Sequence, residues 1–310
     1  MRIVITEFMD EAAVAALAAR FDVHYDAALV DRPDDLPPLL AGADAIIVRN
    51  RTQVNDALLA AGPQLRVVGR LGVGLDNIDQ KACAARGVEV IPATGANAQA
   101  VAEYVIATAM ALLRLVPGAT AAVEAGLWPR GPLSNGREIA GKTLGLVGFG
   151  GIGRLTARLA RALGMEVMGF DAHVATGDAA WRDAGVDPQP FADVIARADV
   201  ISLHIPLTAA TRDLIDGARL ATMKRDAILI NTSRGGIVDE PALADALREG
   251  RLGGAALDVF ATEPLPSGSP LAGCPNLILT PHVAGVTRES NARVSALIAD
   301  RVTAALQKRA

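Results

Sequence analysis

The feature that most narrows what this chain can fold into is the run Val147-Gly148-Phe149-Gly150-Gly151-Ile152-Gly153-Arg154. A lone G-x-G-x-x-G is a weak signal. This one follows the apolar stretch Thr143–Val147 and opens an Ala/Leu/Arg-rich stretch, Ile152–Leu163, of helical periodicity. A second apolar stretch, Glu166–Phe170, then ends at Asp171, 18 residues beyond Gly153. Strand, glycine turn, helix and a second strand with an acidic end make up the context of a dinucleotide-binding βαβ unit. Gly148 permits the tight turn. Gly150 lets the main chain approach a pyrophosphate, and Gly153 lets the helix pack closely. The free N–H groups at the helix start then face the anion. Asp171 is placed to accept hydrogen bonds from ribose hydroxyls, and its charge repels a 2′-phosphate. No Arg or Lys follows before Arg182, so NAD is expected over NADP.

The rest of the chain repeats the alternation of strand and helix. In the first third, strands are predicted at Ile3–Thr6, Asp22–Tyr25, Ala45–Val48, Arg66–Arg70 and Val88–Ile91. Helices fall near Glu11–Arg20, Asn55–Ala60 and Ile78–Arg86, and Ala98–Leu115 reads as one long helix. After Lys142 come strands Thr143–Val147, Glu166–Phe170, Val200–His204, Ala227–Asn231, Ala255–Val259 and Leu277–Thr280, and a last helix over Thr287–Gln307. Continuous apolar runs such as Ala227-Ile228-Leu229-Ile230 suit strands covered on both faces. Parallel strands need crossovers, so the expected class is α/β with doubly wound parallel sheets. The Gly- and Pro-rich segment Leu115–Gly141 is expected to be an irregular surface excursion.

Composition excludes several classes. At roughly 100–200 residues per domain, a chain of 310 residues holds two domains or one large one. It is 51% apolar, enough for a sizeable core, and its net charge of −4 provides no basic footprint for nucleic acid or anionic membrane. Cys83 and Cys274 form no CxxC pair, so neither a disulfide framework nor a metal site is expected. Met1 leads straight into a strand, with no secretory leader pattern. The longest apolar stretch, Ala98–Val116, is interrupted by Glu103 and Arg114. A soluble protein of the cytoplasm is the expectation.

Three predicted strand ends carry the remaining chemistry. Asn231 leads into Thr232-Ser233-Arg234-Gly235-Gly236, Asp258 into Val259-Phe260-Ala261-Thr262-Glu263-Pro264, and Thr280 into Pro281-His282-Val283-Ala284-Gly285. A cation, a carboxylate and an imidazole therefore leave one sheet at the end where open α/β folds bind ligands. Together they are an inventory for hydride transfer between an alcohol and a carbonyl. Arg234 would hold a substrate carboxylate with its planar fork. His282 would exchange the proton of the reacting oxygen, and Glu263 would bond the other ring nitrogen and favour the imidazolium. Taken singly, Arg234 could be a solvated loop cation and His282 a structural histidine. It is their joint occurrence that favours the chemical reading.

These stretches, with Val48-Arg49-Asn50-Arg51-Thr52 and Gly69-Arg70-Leu71-Gly72-Val73-Gly74-Leu75-Asp76-Asn77-Ile78-Asp79, resemble the D-isomer-specific 2-hydroxyacid dehydrogenase family, and within it the phosphoglycerate dehydrogenase branch. They run through nearly the whole chain in the family's order. The resemblance implies a flavodoxin-like substrate domain of residues 1–95 plus 286–310, interrupted by a Rossmann-type NAD domain of residues 96–285, with hinges near Thr94–Asn97 and Val283–Val286. It implies Arg234, Glu263 and His282 as the catalytic set. For the cofactor it implies the turn from Gly148 through Gly150, Gly151, Ile152 and Gly153, with Asp171, Val73, His204, Ile205, Pro206, Thr232, Ser233, Arg234, His282, Ala284 and Gly285, and with Asp258 on the nicotinamide carboxamide. For the substrate it implies Arg49, Asn50, the backbone of Gly72, Val73 and Gly74, Arg234 and His282. It also implies a homodimer, formed through the helix at Ala98–Leu115 and the excursion after it.

The chain ends after one terminal helix, so the regulatory domain of longer relatives is expected to be missing, and Ala93-Thr94-Gly95-Ala96-Asn97-Ala98 departs from the family's more usual Thr-Pro-Gly-Asn. Arg49, Arg51 and Arg70 supply more positive charge than a simple 2-hydroxy acid needs. A substrate with a second anionic group, 3-phosphoglycerate or sulfolactate, is therefore expected. Scaffold salt bridges are the competing use of Arg51 and Arg70. A glyoxylate or hydroxypyruvate reductase is the alternative within the family. A non-enzymatic NAD(H)-sensing corepressor and a formate-type dehydrogenase are the alternatives outside that chemistry.

Overall fold

The structure is a computed structural model that describes residues 1–308; positions 309 and 310 of the expected substrate domain lie outside the described residues. The chain separates into two compact units, Met1–Asn97 with the chain from Val286 onward, and Ala98–Gly285.

The first unit holds five parallel strands, β1 (Arg2–Ile5), β2 (Asp22–Tyr25), β3 (Ala45–Val48), β4 (Val67–Arg70) and β5 (Glu89–Pro92), in the order β2-β1-β3-β4-β5. Strands β1 and β3 are almost wholly buried, as their apolar runs require when helices cover both faces. The helix Arg288–Lys308 covers one face, laying Val294, Ile298, Val302 and Leu306 among Ile5, Ile47 and Val67. Its approach is close: a Cβ on Gly69 would lie 2.9 Å from side-chain atoms of both Ile298 and Val302. The last segment of sequence is thus built into the core of the first.

The second unit holds seven parallel strands, β6 (Thr143–Val147), β7 (Glu166–Phe170), β8 (Asp187–Pro188), β9 (Val200–Leu203), β10 (Ile228–Asn231), β11 (Gly254–Leu257) and β12 (Leu277–Leu279), in the order β12-β11-β10-β9-β6-β7-β8. Leu229 pairs with Ile201 on one side and Ala255 on the other, so the register runs unbroken through the sheet centre. One face is covered by the long helix Ala98–Leu113 and by Gly151–Ala162, where Val105, Ala109, Leu112 and Leu113 share a core with Ala157 and Ala160. The helices at Asp56–Ala61, Gln80–Ala85, Ala179–Ala184, Gly217–Thr222 and Glu240–Arg248 each start on an Asx cap, whose oxygen accepts an N–H of the first turn.

Two expectations need correction. Leu115–Gly141 is not irregular throughout: it contains short helices at Ala119–Glu124 and Arg130–Leu133. Gly118 and Gly126, both with positive φ, bracket the Ala-rich first of these rather than dissolving it. Strand β8 was not expected, because Asp187-Pro188 has poor strand propensity; it is tolerated at the sheet edge, where a missing N–H costs little. Among the described residues no helix is long and apolar enough to cross a membrane.

Ile298 is fully buried. Ile298→Ala is expected to lower the unfolding free energy by about 2–5 kcal/mol in denaturant titration. A loss below about 0.5 kcal/mol, the scale of surface changes, would mean that the last helix is not part of the first unit's core.

Candidate active site

The glycine turn joins β6 to the helix Gly151–Ala162 at the point where the sheet order reverses, between β6 and β9. Gly148 has φ 101°, and a Cβ there would lie 2.3 Å from the carbonyl oxygen of His204, the residue that follows β9. A Cβ on Gly153 would lie 2.4 Å from the Gly148 oxygen. The turn is therefore closed by backbone-to-backbone contact that admits no side chain. Between the two glycines Phe149 turns inward, fully buried, and stacks on Trp181 at 3.8 Å. Asp171 reaches back to the turn: Phe149 N–H donates to its Oδ2 at 2.7 Å, and His173 N–H to its Oδ1 at 2.7 Å.

The residues present fit a dinucleotide. A Cβ on Gly150 or Gly151 would meet nothing within 4 Å, so the main chain of the turn is open to a ligand. Each Asp171 oxygen accepts one main-chain bond and keeps capacity for a ribose hydroxyl. Thr232 Oγ1, one residue beyond β10, is buried and has no hydrogen-bond partner among the described residues.

The loops after β10, β11 and β12 converge through explicit contacts. Asn231 accepts from Ser233 N–H at 3.0 Å and donates to Arg234 O at 2.9 Å, while Ser233 Oγ donates to Leu203 O. The next residue, Gly235, lies so close to the following loop that a Cβ would fall 1.8 Å from Phe260 O. Phe260 N–H then donates to Glu263 Oε1 at 3.0 Å, and Glu263 Oε2 lies 2.9 Å from His282 Nδ1. A chain of short contacts thus links the arginine turn, the carboxylate and the imidazole. His282 itself has φ 56°, a left-handed conformation that a non-glycine residue keeps only when its surroundings impose it.

Asp258 supplies much of that constraint. It is buried, and its Oδ1 accepts from Thr280 Oγ1 at 2.6 Å and Val283 N–H at 2.8 Å. Its Oδ2 accepts from Ala284 N–H at 2.7 Å, and its carbonyl accepts from His282 N–H at 2.8 Å. The residue expected to meet the nicotinamide therefore also holds the histidine loop. Thr280 in turn lies 2.6 Å from the Tyr104 hydroxyl, and burial raises that phenol's pKa. Because Thr280 spends its proton on Asp258, Tyr104 must be the donor.

In the first unit, Arg49 follows β3 and is half-buried; its guanidinium lies over the Phe8 ring and donates to Asn291 Oδ1 at 2.8 Å. Asn50 is exposed. Of the other two arginines, Arg51 pairs with Asp31 across a surface where both are more than half exposed, which supports the scaffold use. Arg70 packs its guanidinium against Gly72, where a Cβ would lie 2.2 Å from Nη1. Val73, in the same turn, is exposed. Sequence reasoning missed Tyr104, Asn291 and Phe8, because each makes its contact across a long sequence separation and carries no local motif. It also missed Arg154, whose Nε donates to Phe149 O and adds positive charge at the turn.

Residues 106–284 match the family described as D-isomer specific 2-hydroxyacid dehydrogenase, NAD binding domain. The chain is 54% identical over 308 residues to the (S)-sulfolactate dehydrogenase of Chromohalobacter salexigens, covering 99% of each. It is 42% identical over 306 residues to the D-3-phosphoglycerate dehydrogenase of Mycobacterium leprae, covering 98% of this chain but 56% of that one. Among solved structures, a Thermus thermophilus protein superposes with a TM-score of 0.90 at 33% identity, covering 99% of this chain and 97% of that one.

His204 gives the site a pH signature. Its Nε2 lies 3.0 Å from Ser202 Oγ, and burial lowers its pKa from 6.5 to about 4. The unfolded chain, with an ordinary histidine, binds more protons between those values. The stability due to the neutral ring is therefore whole above about pH 6.5 and is lost as pH falls toward 4. His204→Gln is expected to flatten the fall of the denaturation midpoint between about pH 7 and pH 5. Equal slopes in the two proteins would show that the ring is not held neutral.

Proposed function

This chain belongs to the D-isomer-specific 2-hydroxyacid dehydrogenase family, and from that membership we propose that it interconverts a 2-hydroxy acid and its 2-keto acid where the substrate carries a second anionic group at C3, a sulfonate before a phosphate. The observation that carries the chemistry is the pairing of His282 with Glu263. The carboxylate engages Nδ1, and Nε2 makes no hydrogen bond among the described residues. In the oxidative direction Nε2 takes the hydroxyl proton, and the adjacent carboxylate stabilises the imidazolium that results. In the reductive direction the same nitrogen returns the proton to the carbonyl oxygen. Arg234 pairs its planar fork with the C1 carboxylate, fixing the reacting carbon. NAD, when bound, supplies the hydride acceptor and donor; the glycine turn and Asp171 would hold it.

The second anionic group is assigned to Arg49, since Arg51 is engaged with Asp31. The likeness to the Chromohalobacter enzyme supports sulfolactate ahead of 3-phosphoglycerate. We assign the first unit to the substrate and the second to the cofactor. A homodimer is proposed through the segment that exposes Met110, Val116, Val123, Leu127 and Trp128, an apolar set that a monomer would leave in water. The free thiols Cys83 and Cys274 suit a reducing, cytoplasmic setting.

The test is NADH absorbance with sulfopyruvate, phosphohydroxypyruvate, hydroxypyruvate and glyoxylate. The kcat/KM of a two-anion acid should exceed that of glyoxylate by about tenfold or more, the scale of one charge-assisted hydrogen bond. Equal values would remove the second anion from the reading, and no turnover of any keto acid would favour a binding protein. His282→Ala should lower kcat by about 10²–10⁴-fold while NADH still binds; unchanged turnover would take His282 out of the mechanism. Asp171→Ala should narrow the preference for NAD over NADP, and an unaltered cofactor ratio would refute its role.

A further inference from the structure

The sheet of the first unit reverses its order between β1 and β3. Open parallel sheets bind ligands beyond the carboxyl ends of the strands at such a reversal. The two strands deliver Thr6-Glu7-Phe8 and Arg49-Asn50-Arg51-Thr52 to that point. Glu7 is a carboxylate only 5% exposed. Its Oε1 accepts from the N–H groups of Arg49 at 2.8 Å and Thr52 at 3.0 Å, and its Oε2 from Asn50 at 3.3 Å and Arg51 at 3.1 Å. Four successive N–H groups converging on one point form an anion-binding nest, and this nest is filled by the chain's own side chain. Four charge-assisted bonds offset the cost of burying the carboxylate. Thr6 and Thr52 join their hydroxyls at 2.8 Å, and the buried Asn77 donates to Thr52 O at 2.7 Å, so the loop is braced from three sides.

Arg49 starts this braced loop. Its guanidinium lies over Phe8, 5.7 Å from the ring centroid, and the hydrogen bond it makes among the described residues goes to the neutral amide of Asn291. A guanidinium has five N–H donors, so most remain for an anion. The nest itself offers an incoming anion nothing, because Glu7 occupies it. The guanidinium is left as the anion-binding group of the loop.

We propose that Glu7 is a positioning residue for substrate recognition: by filling the backbone nest of residues 49–52 it fixes Arg49, with Asn291 and Phe8, to receive the second anionic group of the substrate. This rests on the substrate reading above. Glu7 touches no reacting atom; its effect passes through the arginine.

The experiment compares Glu7→Gln with the wild type on sulfopyruvate and on glyoxylate. The amide keeps the volume but loses the charge and turns an NH2 toward N–H donors. The expected result is a rise of about tenfold or more in KM for sulfopyruvate. KM for glyoxylate, kcat with either acid and the Kd of NADH should stay within about threefold, the pattern of lost binding without lost chemistry. KM rising equally for both acids, or a lower Tm with the KM ratio intact, would overturn the proposal and leave Glu7 a purely structural residue. Should Glu7→Gln not fold, Asn291→Ala removes the guanidinium's bond at the start of the last helix and should raise the sulfopyruvate KM selectively; an unchanged ratio there overturns the proposal too. Arg49→Gln separates the two readings. A wild-type preference for sulfopyruvate that Arg49→Gln abolishes and Glu7→Gln spares would end the role of Glu7 alone, whereas no wild-type preference would end the substrate reading.

Discussion

Every strand in both sheets runs parallel to its neighbours, and this constraint governs where chemistry can occur. A parallel sheet sends all its strand ends to one edge, so loops far apart in sequence emerge side by side. In the second unit that edge gathers the glycine turn after β6, Asp171 after β7, His204 after β9, Arg234 after β10, Glu263 after β11 and His282 after β12. No single segment carries the site. The sheet registers do, and they are secured by strands such as β9 and β10, whose side chains are buried on both faces.

Convergence at an edge brings groups near one another, but it does not aim them. Aim comes from a few close backbone contacts and buried carboxylates. Gly235 permits the arginine turn to lie against Phe260, and Phe260 fixes one oxygen of Glu263. Asp258 binds the loop that forces His282 into a left-handed backbone. Glu7 plays the same part in the first unit, turned toward the loop of Arg49. Asp258 and Glu7, both buried, share one physical logic: a carboxylate satisfied by main-chain N–H groups is a rigid strut, since losing any of those bonds would leave a buried charge short of partners.

Much of the arrangement was legible in the residues. The glycine run, its strand, its helix and Asp171 are adjacent in sequence, and the turn has no other way to close. The pairing of His282 with Glu263 was legible as chemistry, because an imidazole and a carboxylate at neighbouring strand ends have an obvious use. Less legible were roles that depend on distance. Tyr104 stands 176 positions from Thr280, and Arg49 stands 242 from Asn291, and nothing local marks either pair. Arg51 and Arg49 looked alike as rim cations. Only the fold sends one to Asp31 on the surface and holds the other over Phe8. Alanine-rich turns bracketed by glycines, as at Ala119–Glu124, read as loops because the glycines dominate the pattern.

The sequence by itself determined the α/β class, the positions of every strand but β8 to within a residue or two, the glycine turn and the pairing of His282 with Glu263. These follow from periodicity, from the backbone demands of glycine and from side-chain chemistry, all of which are local. The tertiary structure alone decided that Asp258 braces the histidine loop and that Glu7 fills the nest beside Arg49. Those facts depend on which buried polar groups find partners across the fold, and partners are chosen by packing in three dimensions rather than by neighbours along the chain.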